Sequence, residues 1–167
     1  MSKYIFLDID GVLNSYFGYE CDEVLNNDTY LDSWYWEDLQ LRNLIVFKKL
    51  IEYCLDTRIY INSCWGVKEM FNLYKAFDHL DIPVPISLNS ALGSVCNGEE
   101  KLDRIIRYLR LDDINISDIV IIDDENYTQG TELESRLIQI NPHDGLTYKD
   151  CIKIWELLGF EAPIFIK

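Results

Sequence analysis

The sequence lacks any apolar run long enough to cross a bilayer, and it is poor in basic residues and histidines. Fifteen lysines and arginines stand against 29 acidic residues, which gives a formal net charge of −14. We therefore expect no membrane partner and no tight, non-specific binding to nucleic acid, because such binding needs clustered cations. Only His79 and His143 could supply imidazole ligands, so a zinc site is not favoured.

The cysteines also lack the spacing of a disulfide framework or a metal site. They are five in number and form no C-x-x-C pair: Cys21, Cys54, Cys64, Cys96 and Cys151. We interpret them as reduced thiols, mostly in the core of a cytoplasmic protein. A strand-like segment follows Met1 almost at once, so we also expect no signal peptide.

Length and composition are those of an ordinary globular protein. Of the 167 residues, 49% are apolar and 26% are charged. A chain of this length can bury a sizeable core as one unit. We predict a single domain over residues 1–167, with no repeat and no linker.

Predicted strands and helices alternate along most of the chain. Short apolar runs predict strands near 4–8, 58–61, 116–122 and 137–140, and a short edge strand at Ile86. Helical spacing of apolar residues predicts helices over 39–55, 67–80, 99–111 and 148–158, the last capped by Thr147 and ended by Gly159. The alternation predicts a three-layer α/β/α, Rossmann-like fold with a mainly parallel sheet.

The first predicted strand leads directly into two carboxylates. Tyr4-Ile-Phe-Leu is followed by Asp8-Ile-Asp10-Gly11-Val-Leu-Asn14. Residues i and i+2 of an extended segment point the same way, so Asp8 and Asp10 can face one site. Close carboxylates repel unless a cation lies between them or one is protonated. Taken alone, the stretch could also be a plain Asp-Gly surface turn.

Two other predicted strands end in polar residues. Ser63 follows the second strand, and Asp123-Asp124 ends the third. The carboxyl ends of parallel strands share one edge of the sheet, where ligands bind, so we expect these residues to meet Asp8. Lys101 begins the helix before Asp123, and a helix N-terminus at this edge would favour an anion.

This set of residues suits phosphoryl transfer with Mg²⁺. Asp8, Asp123 and the backbone carbonyl of Asp10 offer hard oxygen ligands. Ser63 offers a hydroxyl donor, and Lys101 offers a compact cation for phosphate oxygens. A carboxylate such as Asp8 can act as a nucleophile, while Asp10 can serve as general acid and then base.

Plainer interpretations remain for two of these residues. Ser63 could simply cap the helix that follows it, and its neighbour Asn62 is a rival for phosphate contact. Lys101 could be a solvated helix residue. Cys64 lies beside Ser63 with nothing near it that would activate a thiolate.

The order of these residues resembles the four motifs of the haloacid dehalogenase (HAD) superfamily over most of the chain. The matching segments, in motif order, are Asp8-Ile-Asp10-Gly11, Ser63, Lys101 and Asp123-Asp124. Two further stretches are similar to a smaller branch, the HAD domain found in Swiss Army Knife RNA repair proteins. These are Ser63-Cys-Trp65-Gly66 and Pro142-His-Asp-Gly145-Leu-Thr147.

The resemblance implies a Mg²⁺-dependent phosphatase that forms an aspartyl-phosphate. Asp8 would be the nucleophile and Asp10 the general acid/base, an aspartate that dehalogenases of the superfamily usually lack. The phosphate would contact Asp8, Gly11, Ser63 and Lys101. The metal would be held by Asp8, Asp10 and Asp123, with Asp124 as an indirect or alternative ligand.

The chain departs from the many HAD enzymes that carry a cap domain, since no segment is long enough to form a separate cap, and we predict a capless or nearly capless domain. An open site suits a phosphate on a large molecule, such as a nucleic-acid end or a protein, although a small nucleotide would still fit. Residues 15–38, an acidic stretch rich in Tyr and Trp, would form a short flap. Its aromatic residues could pack it onto the domain or form a wall for a base.

Two rivals to a phosphatase use similar residues. A response-regulator receiver also has a phosphorylated aspartate, Mg²⁺, a hydroxyl and a lysine, but its acidic pair comes first in the chain, the reverse of the order here. A HAD-like module that binds phosphate or protein without catalysis is the other alternative, against which the second aspartate, Asp10, argues.

Overall fold

Five parallel strands form one sheet in the described part of the chain, which comprises residues 2–15, 39–54, 56–88 and 98–163 of the computed structural model. The strands are β1 (Lys3–Leu7), β2 (Thr57–Ile61), β3 (Ile86–Ser87), β4 (Ile119–Asp123) and β5 (Leu137–Gln139). Their order in the sheet is β3-β2-β1-β4-β5, and every neighbouring pair is parallel. The strand that leads into the first motif, β1, is therefore central.

Helices cover both faces of this sheet. They are α1 (Leu41–Glu52), α2 (Val67–His79), α3 (Gly98–Leu111) and α4 (Tyr148–Leu158). Alternate residues of the central strand point to opposite faces. Ile5 and Leu7 of β1 join a core with α1, α2 and α4, whereas Phe6 joins a second core with α3. The predicted three-layer α/β/α arrangement is confirmed.

The start of β4 differs from the prediction. The strand predicted from Ile116 begins only at Ile119, and Ile116–Asp118 form a single 3₁₀ turn. The side chain of Asn115 accepts a hydrogen bond from the backbone N–H of Ser117 at 2.9 Å. That local bond competes with strand pairing, as asparagine side chains do at helix starts. The prediction used only the pattern of apolar residues, which does not indicate a capping asparagine.

The last helix begins and ends where the sequence predicts. The backbone N–H of Thr147 donates to the Asp150 carboxylate at 3.2 Å, which forms part of a capping box. Gly159 follows the helix with a left-handed backbone conformation. The helices α1, α2 and α3 also match their predictions within a few residues.

Several predictions fall on residues that lie outside the described ranges. The flap is among them except for Ser15, as are the loop predicted over 89–97 and the side chains of Cys21 and Cys96. Cys54 and Cys151 are buried as predicted, and burial raises the pKa of each thiol to about 12. Within the described ranges, no helix is both long enough and apolar enough to cross a membrane.

Candidate active site

Three neighbouring strands bring their carboxyl ends together at the middle of the sheet. Asp8 directly follows β1, and its N–H continues the ladder by donating to Ile122 O at 2.9 Å. Asn62 follows β2 in the same way, with its N–H donating to Leu7 O at 2.8 Å. Asp123 is the last residue of β4. The parallel register thus places Asp8 between the ends of β2 and β4.

Lys101, from the first turn of α3, lies between two of these acidic residues. Its ammonium Nζ is 2.7 Å from Asp8 Oδ2 and 3.0 Å from Asp123 Oδ2. All three side chains are almost completely buried, with no more than 5% of any of them exposed. The structure therefore brings Asp8, Lys101 and Asp123 into direct contact, and their roles in a functional site stay a prediction.

Burial and mutual charge determine the protonation of this triad. Burial raises the pKa of Asp123 to about 7, with the negative charge of Asp8 adding to the effect. Burial also raises the pKa of Asp8, while Lys101 opposes the rise. For Lys101, burial disfavours the ammonium, but the two carboxylates outweigh it and raise its pKa. The positive charge of Lys101 therefore offsets the unfavourable free energy of burying two carboxylates side by side.

Asp124 adds a third carboxylate to the cluster. Carboxylate oxygens of Asp8, Asp123 and Asp124 lie within 4.8 Å of one another. Gly11 allows the Asp124 side chain to lie against the loop after β1, because a Cβ on residue 11 would be 2.6 Å from Asp124 Cγ. Its φ of +72° is also one that side-chain-bearing residues rarely adopt. The loop after β1 and the end of β4 therefore meet in direct contact.

The donor set of this cluster fits Mg²⁺. Three carboxylates supply hard oxygens, and a single ammonium leaves the group with net negative charge to attract a divalent cation. The Asp10 carboxylate is not part of this cluster, and metal binding by the Asp10 backbone carbonyl stays a prediction. Asp124 belongs to the cluster, which makes it a candidate ligand.

The Asp10 side chain is exposed and is held by two uncharged donors. The indole Nε1–H of Trp65 donates to Asp10 Oδ2 at 2.9 Å, and the Asn14 amide donates to Oδ1 at 3.3 Å. Within the same turn, Gly11 N–H donates to Asn14 O at 2.8 Å. The Gly11 amide is thus used inside the loop, and phosphate contact by Gly11 stays a prediction.

Ser63 and Asn62 have different surroundings although both are buried. The Asn62 amide Nδ2 donates to Lys101 O at 3.1 Å and so ties the end of β2 to the start of α3. The Ser63 hydroxyl accepts a long bond of 3.4 Å from the N–H of Trp65. An accepting hydroxyl keeps its own proton for donation. Phosphate contact by Ser63, or by its rival Asn62, stays a prediction.

Tyr127 is a site residue that the sequence analysis did not single out. Its ring lies 5.7 Å from Lys101 Nζ, and its hydroxyl is 3.5 Å from Asn62 Nδ2. Burial raises the pKa of Tyr127, and the charge of Asp123 adds to the rise, so the hydroxyl stays protonated. The segment holding Tyr127 has no periodic pattern that would have placed it beside the lysine.

A turn near the C-terminus supports the loop after β1. The N–H of Leu146 donates to Val12 O at 2.8 Å. Gly145, with φ +66°, leaves no room for a Cβ, which would lie 2.8 Å from the same oxygen. This contact ties the turn at Gly145 and Leu146 to the loop that carries Asp10.

Comparison with known proteins agrees with this geometry. A family model described as the HAD domain in Swiss Army Knife RNA repair proteins matches residues 4–151. That range includes the Asp8–Lys101–Asp123 triad, Asp10 and Trp65. No curated protein matches the chain.

Replacing Lys101 by methionine tests the electrostatic account of the triad. We expect Lys101→Met to lower the unfolding free energy by about 3 kcal/mol or more at about pH 8, because two buried carboxylates lose their shared cation. Without the ammonium the pKa of both carboxyls rises further. A carboxyl whose pKa is raised in the folded state stabilises the protein at low pH, and this stabilisation is lost as the pH rises through the folded-state pKa. The loss of unfolding free energy in Lys101→Met should therefore be smaller at about pH 5 than at about pH 8.

Chemical denaturation of the metal-free protein at both pH values measures this effect. Lys153→Met, which removes an exposed lysine from α4, is the matched control and should cost less than about 1 kcal/mol. A deficit for Lys101→Met that is as small as the control's, or that does not vary with pH, would contradict the account.

Proposed function

The chain belongs to the family of HAD domains in Swiss Army Knife RNA repair proteins, and from this premise we propose that it is a Mg²⁺-dependent phosphomonoester hydrolase. The observation that carries the proposal is the buried contact of Lys101 with Asp8 and Asp123 at the carboxyl edge of the sheet. It is supported by Asp10, whose carboxylate is held two residues from Asp8 without being buried. A binding module would have no need of this second carboxylate.

Asp8 is the proposed nucleophile. Its oxygen would form a bond to phosphorus while the bond to the ester oxygen breaks, giving an aspartyl-phosphate. The Lys101 ammonium and the Ser63 hydroxyl would hold the phosphate oxygens, and the buried surroundings would strengthen these contacts. Mg²⁺, held by Asp8, Asp123, Asp124 and the Asp10 carbonyl, would supply the positive charge that draws an anionic substrate into an acidic site.

Asp10 is the proposed general acid and base. In the first half of the reaction it would give a proton to the departing ester oxygen. In the second half it would take a proton from the water that attacks the phosphorus of the aspartyl-phosphate and frees Asp8. One group can serve both steps, because the second reverses the proton transfer of the first.

The proposed substrate is a phosphate at a nucleic-acid end or on a nucleotide. The support is the family's description as a domain of RNA repair proteins. A net charge of −14 argues that recognition is confined to the end of a strand, since long contacts with the backbone need cations. The cytoplasm is the proposed location, in keeping with the buried, reduced thiols of Cys54 and Cys151.

A substrate screen tests this assignment. We expect kcat/KM to be higher for 3′- or 5′-phosphorylated oligonucleotides and mononucleotides than for sugar phosphates or phosphopeptides. A preference for sugar phosphates or phosphopeptides would contradict the substrate class, while leaving the phosphatase chemistry intact.

The metal requirement is tested with Asp123→Asn. This change removes a charge from the cluster with little change of shape, so Mg²⁺ affinity measured by calorimetry should fall at least about tenfold. Phosphatase activity should be lost in a chelator and restored by added Mg²⁺. Asp112→Asn, an exposed change after α3, serves as the control and should leave the affinity unchanged. Full activity in the chelator would exclude the metal site.

The nucleophile and the acid/base should separate in two further variants. Asp8→Asn should abolish turnover, because an amide cannot take the place of the attacking carboxylate. Asp10→Asn keeps the nucleophile, should lose about 10²–10⁴-fold in turnover, and should accumulate a phospho-enzyme.

Mass spectrometry of acid-quenched protein, with hydroxylamine treatment to cleave acyl phosphates, locates the phosphoryl group. We expect it on Asp8 in Asp10→Asn and on no residue in Asp8→Asn. Substantial turnover by Asp8→Asn would instead favour direct attack by water.

A further inference from the structure

Trp65 makes a contact that the proposed chemistry has not yet used. Its indole N–H donates to Asp10 Oδ2 at 2.9 Å, the shorter of the two hydrogen bonds that the Asp10 carboxylate accepts from Trp65 and Asn14. We propose that Trp65 is a positioning residue that orients the Asp10 carboxylate for the proposed proton transfers. The catalytic part of this inference rests on the proposed phosphatase function.

The position of the indole is set by the fold. Trp65 follows β2 and directly precedes Gly66, whose carbonyl accepts the first backbone bond of α2 from Met70. The Trp65 side chain is only 8% exposed and belongs to the core that covers one face of the sheet. A packed indole has little rotamer freedom, so its N–H presents a fixed donor at the edge of the site.

The bond from Trp65 fixes the orientation of the Asp10 carboxylate. An indole N–H can donate but cannot accept, so Oδ2 is the oxygen that accepts from Trp65. The bond that Oδ1 accepts from the Asn14 amide is longer, at 3.3 Å. The shorter contact with the packed indole therefore holds the carboxylate in place.

The same hydrogen bond connects two motifs of the chain. Asp10 lies in the loop after β1, whereas Trp65 lies in the turn after β2 beside Ser63. The bond therefore fixes the position of Asp10, the proposed proton donor, relative to the end of β2, where the phosphate is proposed to bind. A general acid must reach the leaving oxygen closely, and a displacement of about 1 Å can cost on the order of 100-fold in rate.

A second tryptophan provides a matched control. Trp155 of α4 is fully buried, and its indole N–H donates to Leu50 O at 3.1 Å, in the core and not at the site. Trp→Phe removes the same atoms and the indole N–H hydrogen bond at either position. Trp155→Phe should therefore lower stability while leaving the activity pattern unchanged.

Kinetics give the first test. We expect Trp65→Phe to lower kcat for an alkyl phosphate roughly 10- to 100-fold with little change in KM. The first-turnover burst of nitrophenolate from nitrophenyl phosphate should change much less, because that leaving group needs no proton. Equal losses on both substrates, or none, would overturn the positioning role.

An NMR measurement tests the hydrogen bond without any turnover. The indole ¹H–¹⁵N signal of Trp65, identified by its absence in Trp65→Phe, should shift upfield and exchange faster with solvent in Asp10→Ala. Asp10 is exposed, so this variant should fold, and the Trp155 signal should not move. An unmoved Trp65 signal would overturn the inference even for an active enzyme.

The two tests also separate this inference from the proposed function. A wild-type protein that hydrolyses no phosphomonoester would overturn the phosphatase and, with it, the catalytic role of Trp65. The NMR comparison would still decide whether Trp65 holds Asp10. An active enzyme with an unmoved indole signal would overturn the positioning role alone.

Discussion

The ammonium of Lys101, buried between the carboxylates of Asp8 and Asp123, is the interaction on which the site depends. Parallel strands bring their carboxyl ends to one edge, and here that edge places two acidic side chains inside the protein. Such a pair is stable only with a cation between them or with a shared proton. Two neighbouring residues contact Lys101 as well. Asn62 donates a hydrogen bond to the Lys101 backbone carbonyl, and the ring of Tyr127 lies near the Lys101 ammonium.

This arrangement is consistent with keeping the proposed acid/base group, Asp10, apart from the triad. Asp8 and Asp123 are buried and share the Lys101 ammonium, which opposes the rise that burial causes in the pKa of both carboxyls. Asp10 is exposed and is held by the neutral side chains of Trp65 and Asn14. A group that must gain and lose a proton is better served by neutral donors than by a salt bridge, which would favour the carboxylate alone.

Much of the fold and the centre of the site could be predicted from the sequence, for a physical reason. Apolar runs identify buried strands, and Asp8 and Asp123 follow two of them, so parallel pairing alone brings them together. The Trp65–Asp10 bond and the place of Tyr127 depend on how distant side chains pack, which no local pattern records. The 3₁₀ turn at Ile116–Asp118 was missed because one asparagine side chain decided it.

The central claim is that Asp8 attacks the phosphorus and forms a covalent intermediate. The stereochemistry of transfer tests it most directly, using wild-type protein and a phosphate ester whose phosphoryl group, made chiral with three oxygen isotopes, is transferred to an acceptor alcohol. Two successive in-line displacements, the first by Asp8 and the second by the acceptor, predict net retention of configuration at phosphorus. Net inversion would mean a single direct displacement, and would contradict the account.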